Sequence, residues 1–302
     1  MKLGYSAWAM PRLPVAEQID IVRRTGYAGI ELVSGPQSSL DALTIDGAGR
    51  KEIRRRLDES GLALPSIAAH GNLQERDPEK RAAAKARVEA GIDLAADLAG
   101  SDGPPCVVTM AYGKPDEYEA LRERIAEGCA ELAGYGAARG VTVALEPHVG
   151  QAIDLPEKVV WLMDRVDSPH YRLNFDNSHF EVMGRGVDDY VPLLTPYAVH
   201  THLKDQRGIS PRHEFLPPGE GDFDYERYLR AMASAGYAGF VTVEISVMVQ
   251  RRPDYDPETV ARPRPYRPPE EPAPAGRRRS ARRRTAAPPS PGRSPGGAAP
   301  SR

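Results

Sequence analysis

Four side chains of the metal-ligand type recur in the second half of the chain, each at the end of a short apolar run. They are Glu146, Asp176, His202 and Glu244. The gaps between them are 30, 26 and 42 residues, and a strand–helix unit takes about 30. Three carboxylates and one imidazole suit Mn²⁺, Co²⁺ or Mg²⁺, and they lack the thiolates of the usual structural zinc site. We therefore predict that these four residues form a catalytic divalent-metal site.

Two residues near these four, His179 and Arg207, are candidates for the substrate side of the site. His179 lies three residues after Asp176, so one turn would bring both side chains to the same mouth. Its imidazole could bind a substrate oxygen or donate a proton, with a structural polar role as the alternative. Arg207 follows His202 and could clamp a substrate oxygen. Lys204 and Asp205 lie between them, and since loop charges are more often solvated, that is the alternative for all three residues.

Other candidates lie at the ends of the remaining strands. His70 ends the third strand and Glu31 lies within the second; either one lines a pocket or makes a structural hydrogen bond. Trp8 and Tyr112 end the first and fourth strands and could form the apolar floor of a sugar pocket, with core packing as the alternative. His148 is expected at the rim.

The elements that must position these residues alternate between β-rich apolar runs and helical patterns, which is typical of a parallel sheet. Eight such alternations in about 250 residues match the size of a (β/α)₈ barrel, the TIM barrel, whose active sites lie at the carboxyl ends of the strands. A doubly wound open sheet is the alternative, but no glycine-rich phosphate loop follows the first strand. The predicted strands are 3–7, 29–33, 64–69, 106–111, 141–145, 171–175, 198–203 and 240–245. The predicted helices include 16–24, 49–59, 79–98, 117–138, 156–166 and 225–235, and residues 206–222 are predicted to form a loop over the active-site face.

The last part of the chain differs in composition from the rest. Residues 262–302 contain eleven Pro, eleven Arg and two Glu, which gives this segment a net charge of +9. Proline blocks regular helix and like charges oppose compaction, so we predict a disordered basic tail after a catalytic domain at 1–261. Since the whole chain has a net charge of −2, the catalytic domain carries −11. An acidic body disfavours nucleic acid as a partner.

The eighth helix of the barrel is predicted to be incomplete. Residues 255–261 look like its first turn, with Asp256 as the N-cap and Pro257 at the first helical position. A segment rich in proline and arginine then follows, at 262–302. Either a change of reading frame replaced the true last helix, or the tail is a natural segment that binds an acidic partner. The first origin would leave apolar surface exposed on the barrel and favour association into a homo-oligomer.

Composition excludes several classes. No run approaches the roughly 20 apolar residues of a membrane span, and the N-terminus has no apolar signal core. Cys106 and Cys129 match neither a disulfide framework nor zinc spacing, so a reducing cytoplasm is expected.

Six segments together resemble the xylose isomerase-like TIM-barrel family of sugar isomerases and epimerases, over about residues 1–260. They are Gly-Tyr-Ala-Gly-Ile-Glu at 26–31, Leu-Glu-Pro-His at 145–148, Phe-Asp-Asn-Ser-His at 175–179, His-Thr-His-Leu-Lys-Asp at 200–205, Pro-Gly-Glu-Gly-Asp at 218–222 and Gly-Tyr-Ala-Gly-Phe-Val-Thr-Val-Glu at 236–244. The resemblance implies that the metal is bound by Glu146, Asp176, His202 and Glu244. It also implies that Glu146 and Glu244 form the acid/base pair and that His179 binds a substrate oxygen. Arg207 is one residue closer to His202 than in ketose epimerases, and the His-Leu-Lys-Asp segment is more like that of inosose and keto-sugar relatives.

The predicted function is that of an isomerase or epimerase acting on a keto-sugar or inosose through an enediolate. Mn²⁺ is the expected metal, with Co²⁺, Mg²⁺ or Zn²⁺ as alternatives. The main rival is a lyase or dehydratase on a keto-polyol or keto-glycoside that uses the same metal site. A DNA-repair AP endonuclease would need a His-rich multi-zinc site and a basic groove, and the chain has seven His and an acidic body. A non-catalytic interaction protein that works through its tail would not need the four ligands.

Overall fold

The computed structural model describes residues 1–262. The predicted disordered tail, apart from Arg262, lies outside the described residues. Ten strands are described: β1 Lys2–Ser6, β2 Gly29–Ser34, β3 Ala63–Ala69, β4 Cys106–Met110, β5 Val143–Glu146, β6 Tyr171–Asp176, β7 Ala198–Leu203, β8 Asp205–Ile209, β9 Arg212–Leu216 and β10 Phe240–Val243.

Eight of these strands form a closed parallel barrel, in the order β1, β2, β3, β4, β5, β6, β7, β10. The barrel closes between β1 and β10, where Lys2 pairs with Phe240 and Tyr5 with Val243. The predicted TIM barrel is therefore confirmed and the open sheet is excluded. All eight predicted strands are present, with ends shifted by at most two residues.

Helices surround the barrel and cover its outer face. They are α1 Val15–Arg24, α2 Gly47–Ser60, α3 Pro78–Asp97, α4 Tyr118–Ala137, α5 Pro156–Val166, α6 Asn177–Glu181, α7 Val187–Leu194, α8 Tyr225–Ser234, α9 Val247–Gln250 and α10 Pro257–Ala261. Local sequence sets their ends: the side chain of Asp77 accepts hydrogen bonds from the first-turn amides of α3, and Gly61 ends α2 with a left-handed φ of 73°. These caps fix where each connection leaves the barrel.

The segment after β7 differs from the prediction. Instead of a plain loop at 206–222, β8 and β9 form an antiparallel hairpin. The carboxylate of Asp205 accepts hydrogen bonds from the amides of Gly219 and Gly221, at 2.9 and 2.8 Å, and so ties the returning chain to the base of the hairpin. A Cβ at position 221 would lie 2.2 Å from this carboxylate, so the close approach requires glycine. Asp205 is therefore a buried structural residue and not a solvated charge.

The described part of the predicted eighth helix is the single turn α10. The side chain of Asp256 caps it by accepting a hydrogen bond from the amide of Thr259 at 2.8 Å, and Pro257 opens it, as the sequence predicted. A groove of about 190 Å³ lies beside it on the outside of the barrel. Its mainly apolar wall includes Leu3, Tyr27, Leu203, Val243 and Val260. Leu3 is 54% exposed, so this flank is only partly covered by the described chain.

Candidate functional site

The four predicted metal ligands meet at the carboxyl end of the barrel. Glu146 and Asp176 are the last residues of β5 and β6, His202 is the penultimate residue of β7, and Glu244 directly follows β10. Each offers one ligand atom, and these four atoms all lie within 4.8 Å of one another. We call Glu146, Asp176, His202 and Glu244 the four-residue cluster. All four side chains are buried.

The ammonium group of Lys204 lies inside this cluster. Its Nζ donates to Asp176 Oδ2 and to Glu244 Oε2, and lies 4.0 Å from Glu146 Oε1. Only 4% of the residue is exposed, so the prediction of a solvated charge is wrong for Lys204. Burial alone would lower its pKa, but the charges of Asp176 and Glu244 raise the pKa of Lys204 above its ordinary value. The cluster therefore stabilises a positive charge.

The imidazole of His202 lies between two carboxylates. Its Nδ1 is 2.9 Å from Glu146 Oε1, on the cluster side, and its Nε2 is 2.9 Å from Glu31 Oε2, on the opposite side. Glu31 is fully buried and also accepts hydrogen bonds from Ser6 at 2.6 Å and Ser66 at 2.8 Å. Of the two roles considered for Glu31, the structure shows the hydrogen-bonding one. Burial alone would raise the pKa of Glu31, but the charge and hydrogen bond of His202 lower it to about 2.

The cluster fits a divalent cation by its chemistry. It offers three carboxylates and one imidazole, which is the donor set of a catalytic site for a hard or borderline metal ion. The position of the Lys204 ammonium against two of these carboxylates shows where a cation is favoured. Metal binding by these residues stays a prediction that the geometry fits.

A cavity of about 130 Å³ opens beside the cluster. Its lining includes three of the five predicted substrate-side residues, namely Trp8, His70 and His179. Tyr112 is half-buried and does not line it; burial, and then the charge of Glu146, raises the pKa of this phenol.

Arg207 is not part of the cavity wall, contrary to the prediction of a substrate clamp. Its Nη2 donates to the carbonyl oxygen of Glu220 at 2.7 Å, and its Nε lies 3.4 Å from Asp222. The side chain is 51% exposed. Arg207 lies in β8, and the hairpin directs its guanidinium toward the returning loop.

Other residues that line the cavity include Lys204, Phe215 and His148. The ring centroids of His148 and His179 are 3.9 Å apart, and Phe215 meets His179 edge to face at 5.0 Å. Burial, and then the neighbouring His148, lowers the pKa of His179 well below its ordinary value, so this imidazole is neutral.

A larger cavity, of about 620 Å³, lies away from this site. Lys2, Arg54 and the amino-terminal residues of β3 are among its lining. It contains none of the candidate residues, and it opens at the end of the barrel that usually serves stability rather than chemistry. The candidate catalytic residues therefore lie at the smaller cavity. No helix in residues 1–262 combines the length and the apolar character that crossing a bilayer requires.

Comparisons with known proteins agree with the barrel fold. The sequence model of the xylose isomerase-like TIM barrel family matches residues 19–276. The fructoselysine 3-epimerase of Shigella flexneri is 24% identical over 261 residues, which cover 84% of this chain and 93% of that protein. The inosose dehydratase of Yersinia enterocolitica is 30% identical over 154 residues, which cover 43% of this chain and 50% of that protein. The solved structure of the IolI protein with a bound zinc atom superposes with a TM-score of 0.72 at 18% identity and covers 86% of this chain and 94% of that one.

Proposed function

Because the chain belongs to the xylose isomerase-like TIM barrel family, we propose that it is a divalent-metal-dependent isomerase or epimerase of a keto-sugar or inosose. The observation that carries this proposal is the convergence of the four-residue cluster beside a small cavity at the carboxyl end of the barrel. The epimerase and dehydratase relatives support the enzyme class. The substrate is then a small carbohydrate, and residues 1–261 form the catalytic domain.

In the proposed reaction the divalent ion stabilises negative charge, and side chains of the protein transfer the protons. A divalent ion held by the four-residue cluster would supply Lewis acidity toward a carbonyl and its neighbouring hydroxyl. Glu146 and Glu244 both line the cavity but come from β5 and from the end of β10, with β6 and β7 between them. One carboxylate can therefore take the proton α to the carbonyl while the other returns a proton from another side. Return to the same carbon gives an epimer, and return to its neighbour gives an isomer.

Solvent exchange tests this proposal directly. The full chain loaded with Mn²⁺, our expected metal, is incubated in D₂O with free ketoses and inososes, and the α-hydrogen is followed by proton NMR. We expect exchange and the appearance of an epimer or isomer with the natural chain. Absence of exchange with every ketone, at full metal occupancy, would contradict the proposal.

The position of Lys204 favours a second candidate, a dehydratase acting on a keto-polyol. In that reaction a carboxylate removes the α-proton, the electron pair forms the new carbon–carbon double bond, and the β-hydroxyl leaves as water after it receives a proton. The ammonium of Lys204 lines the cavity and can donate a hydrogen bond to that hydroxyl, while the carboxyl group that took the α-proton supplies the proton. Mass spectrometry separates the two candidates, because dehydration removes one water from the product and epimerisation leaves the mass unchanged.

A further inference from the structure

A second cavity, of about 490 Å³, lies directly beside the small cavity at the four-residue cluster. Trp8 and Val247 line both cavities and so mark the boundary between them. The remaining walls come from the segments that follow β1, β2 and β10, which all leave the barrel at its carboxyl end. We call this second cavity the Trp8 cleft. It lies on the face of the barrel where the candidate catalytic residues converge.

The Trp8 cleft has the size of a substrate-binding compartment, and the small cavity does not. Sites for small molecules usually have volumes of about 300–1,000 Å³, whereas the small cavity has about 130 Å³. A substrate that is larger than the small cavity and brings its carbonyl to the four-residue cluster therefore extends past Trp8. The half-buried indole of Trp8 offers an apolar face to the carbon atoms of such an extension.

The segment that forms one wall of the cleft is held by hydrogen bonds on both sides. The carbonyl oxygens of Met10 and Leu13 accept hydrogen bonds from Nε2 of Gln18, at 3.1 and 2.8 Å. On the other side, Nε2 of Gln250 donates to the carbonyl oxygen of Trp8 at 2.9 Å. Because these contacts fix the backbone on which the wall is built, the cleft is a preformed compartment.

The guanidinium of Arg12 is a free positive charge in this cleft. Among the lining residues that the structure describes, Arg12 alone carries a charge. Its side chain is exposed and makes no hydrogen bond or ion pair within residues 1–262. Arg252, two residues after Gln250 of the cleft wall, is instead paired with Glu220 at 2.8 Å. An unpaired guanidinium presents a planar set of donors that matches a carboxylate or a phosphate.

We propose that the Trp8 cleft binds a substituent of the substrate that ends in an anionic group, a carboxylate or a phosphate, with Arg12 as its counter-charge. This deepens the proposed function and rests on it. The keto group of the substrate lies at the four-residue cluster, the carbon chain of its substituent passes Trp8, and the anionic end meets Arg12. The substrate class is then a keto-sugar or keto-cyclitol that carries an acidic substituent.

Esters that differ only in their terminal charge test this inference. The Mn²⁺-loaded full chain is given the succinate half-esters of fructose and scyllo-inosose, the neutral methyl esters of these half-esters, and the pair fructose and fructose 6-phosphate. α-Hydrogen exchange is measured in D₂O. We expect kcat/KM for at least one anionic compound to exceed that for its neutral partner by roughly 3- to 10-fold, because the ion pair that it forms is exposed to solvent. The pair that shows the preference distinguishes a carboxylate from a phosphate.

Two arginine variants locate the origin of the preference. Arg12→Ala should reduce the ratio of anionic to neutral kcat/KM to about one. Arg251→Ala is the matched control, since Arg251 is exposed, directly follows α9 and does not line the cleft. This control should keep the ratio of the natural chain. Absence of any preference in the natural chain, a preference that survives in Arg12→Ala, or an equal loss in both variants would overturn the inference.

Fluorescence distinguishes a failure of this inference from a failure of the proposed function. Trp8 and Trp161 are the two tryptophans of the chain, and Trp161→Phe leaves Trp8 as the single indole. Titration should change the emission of Trp8 with a lower Kd for the anionic ester, and Arg12→Ala should remove the difference. If this holds while no compound exchanges its α-hydrogen, the proposed function fails and the anion site stands. Exchange without an Arg12-dependent difference in Kd would defeat the inference and leave the proposed function standing.

Discussion

Glu31 Oε2 lies 2.9 Å from Nε2 of His202, on the side of the ring that faces away from the four-residue cluster's carboxylates. This contact leaves Nδ1 directed toward Glu146. A histidine that binds a metal through one nitrogen usually donates the other N–H to a carboxylate or carbonyl, which fixes the tautomer and the ring orientation. Hydrogen bonds from Ser6 and Ser66 hold Glu31 in place for this role.

Substitution of Glu31 should weaken metal binding without removing a ligand. We expect Glu31→Ala to lower the affinity for Mn²⁺ or Co²⁺ by roughly 10- to 100-fold, and Glu31→Gln, which retains an acceptor oxygen, to lower it less. Competition with a chelating dye measures the affinity independently of turnover. Glu59→Gln, an exposed carboxylate on α2, is the control. Unchanged affinity in Glu31→Ala would show that Glu31 only fills space beneath the site.

Removal of the metal should abolish activity reversibly. Because the four-residue cluster is buried and completes one donor set, dialysis against a chelator is expected to stop α-hydrogen exchange, and Mn²⁺ or Co²⁺ should restore it. Exchange rate and metal content are measured on the same samples. Full exchange by protein shown to be metal-free would rule out a role for the ion.

Metal binding and substrate handling should be separable by variants of Glu146, Glu244 and His179. Glu146→Gln and Glu244→Gln each remove a charged ligand and a proton carrier, so turnover should fall by on the order of 10²- to 10⁴-fold. His179→Ala should impair substrate handling, chiefly as a rise in KM, while the metal stays bound. Elemental analysis measures the metal content of the three variants, and steady-state kinetics measures their kcat and KM. Loss of metal from His179→Ala would place His179 among the ligands.

Glu31 should stabilise the metal-free protein at neutral pH, and this contribution should be lost in acid. The pKa of this buried carboxyl is lowered from 4.5 to about 2 by His202. Its contribution is therefore fully present above pH 4.5 and is lost as the pH falls toward 2; it amounts to about 3 kcal/mol as an upper estimate. Urea unfolding at pH 7, 5 and 3 should show wild type and Glu31→Gln differing most at pH 7 and converging at low pH. A difference that grows as the pH falls would contradict this assignment.

The apolar groove beside α10 should promote self-association. The groove wall is mainly apolar, and Leu3 is 54% exposed within residues 1–262. We expect sedimentation velocity to show concentration-dependent dimers that Leu3→Ser weakens. Leu43→Ser, a change at a similarly exposed leucine outside the groove, is the control. Equal effects of the two changes would show that the groove is not the contact.

The barrel and the convergence of the cluster could be predicted because both depend on regular spacing. Hydrophobic runs marked all eight strands, and parallel strands bring their carboxyl ends to one face. The hairpin was missed because Gly208, within β8, and Pro211, in the turn between β8 and β9, are typical of a loop. No periodic signal marks so short a pair of strands, and tertiary contacts through Asp205 stabilise it.

Lys204 was missed although the sequence held a signal for it. In a strand, alternate side chains face the same side, and His200, His202 and Lys204 follow this period of two into the barrel. Lys204 directly follows β7 and continues its alternation, so it is not a loop charge. The direction of Arg207 could not be predicted, since it depends on the hairpin and on the carbonyl oxygen of Glu220.

The buried ammonium of Lys204 also affects how the protein matures. Because it already neutralises Asp176 and Glu244, the chain can complete its fold before any ion arrives. If the four-residue cluster binds a divalent ion as we propose, loading is an exchange in which the ion displaces the ammonium of Lys204 from Asp176 and Glu244. Such an exchange responds to concentration, so the ion that a molecule carries would reflect the supply around it at maturation.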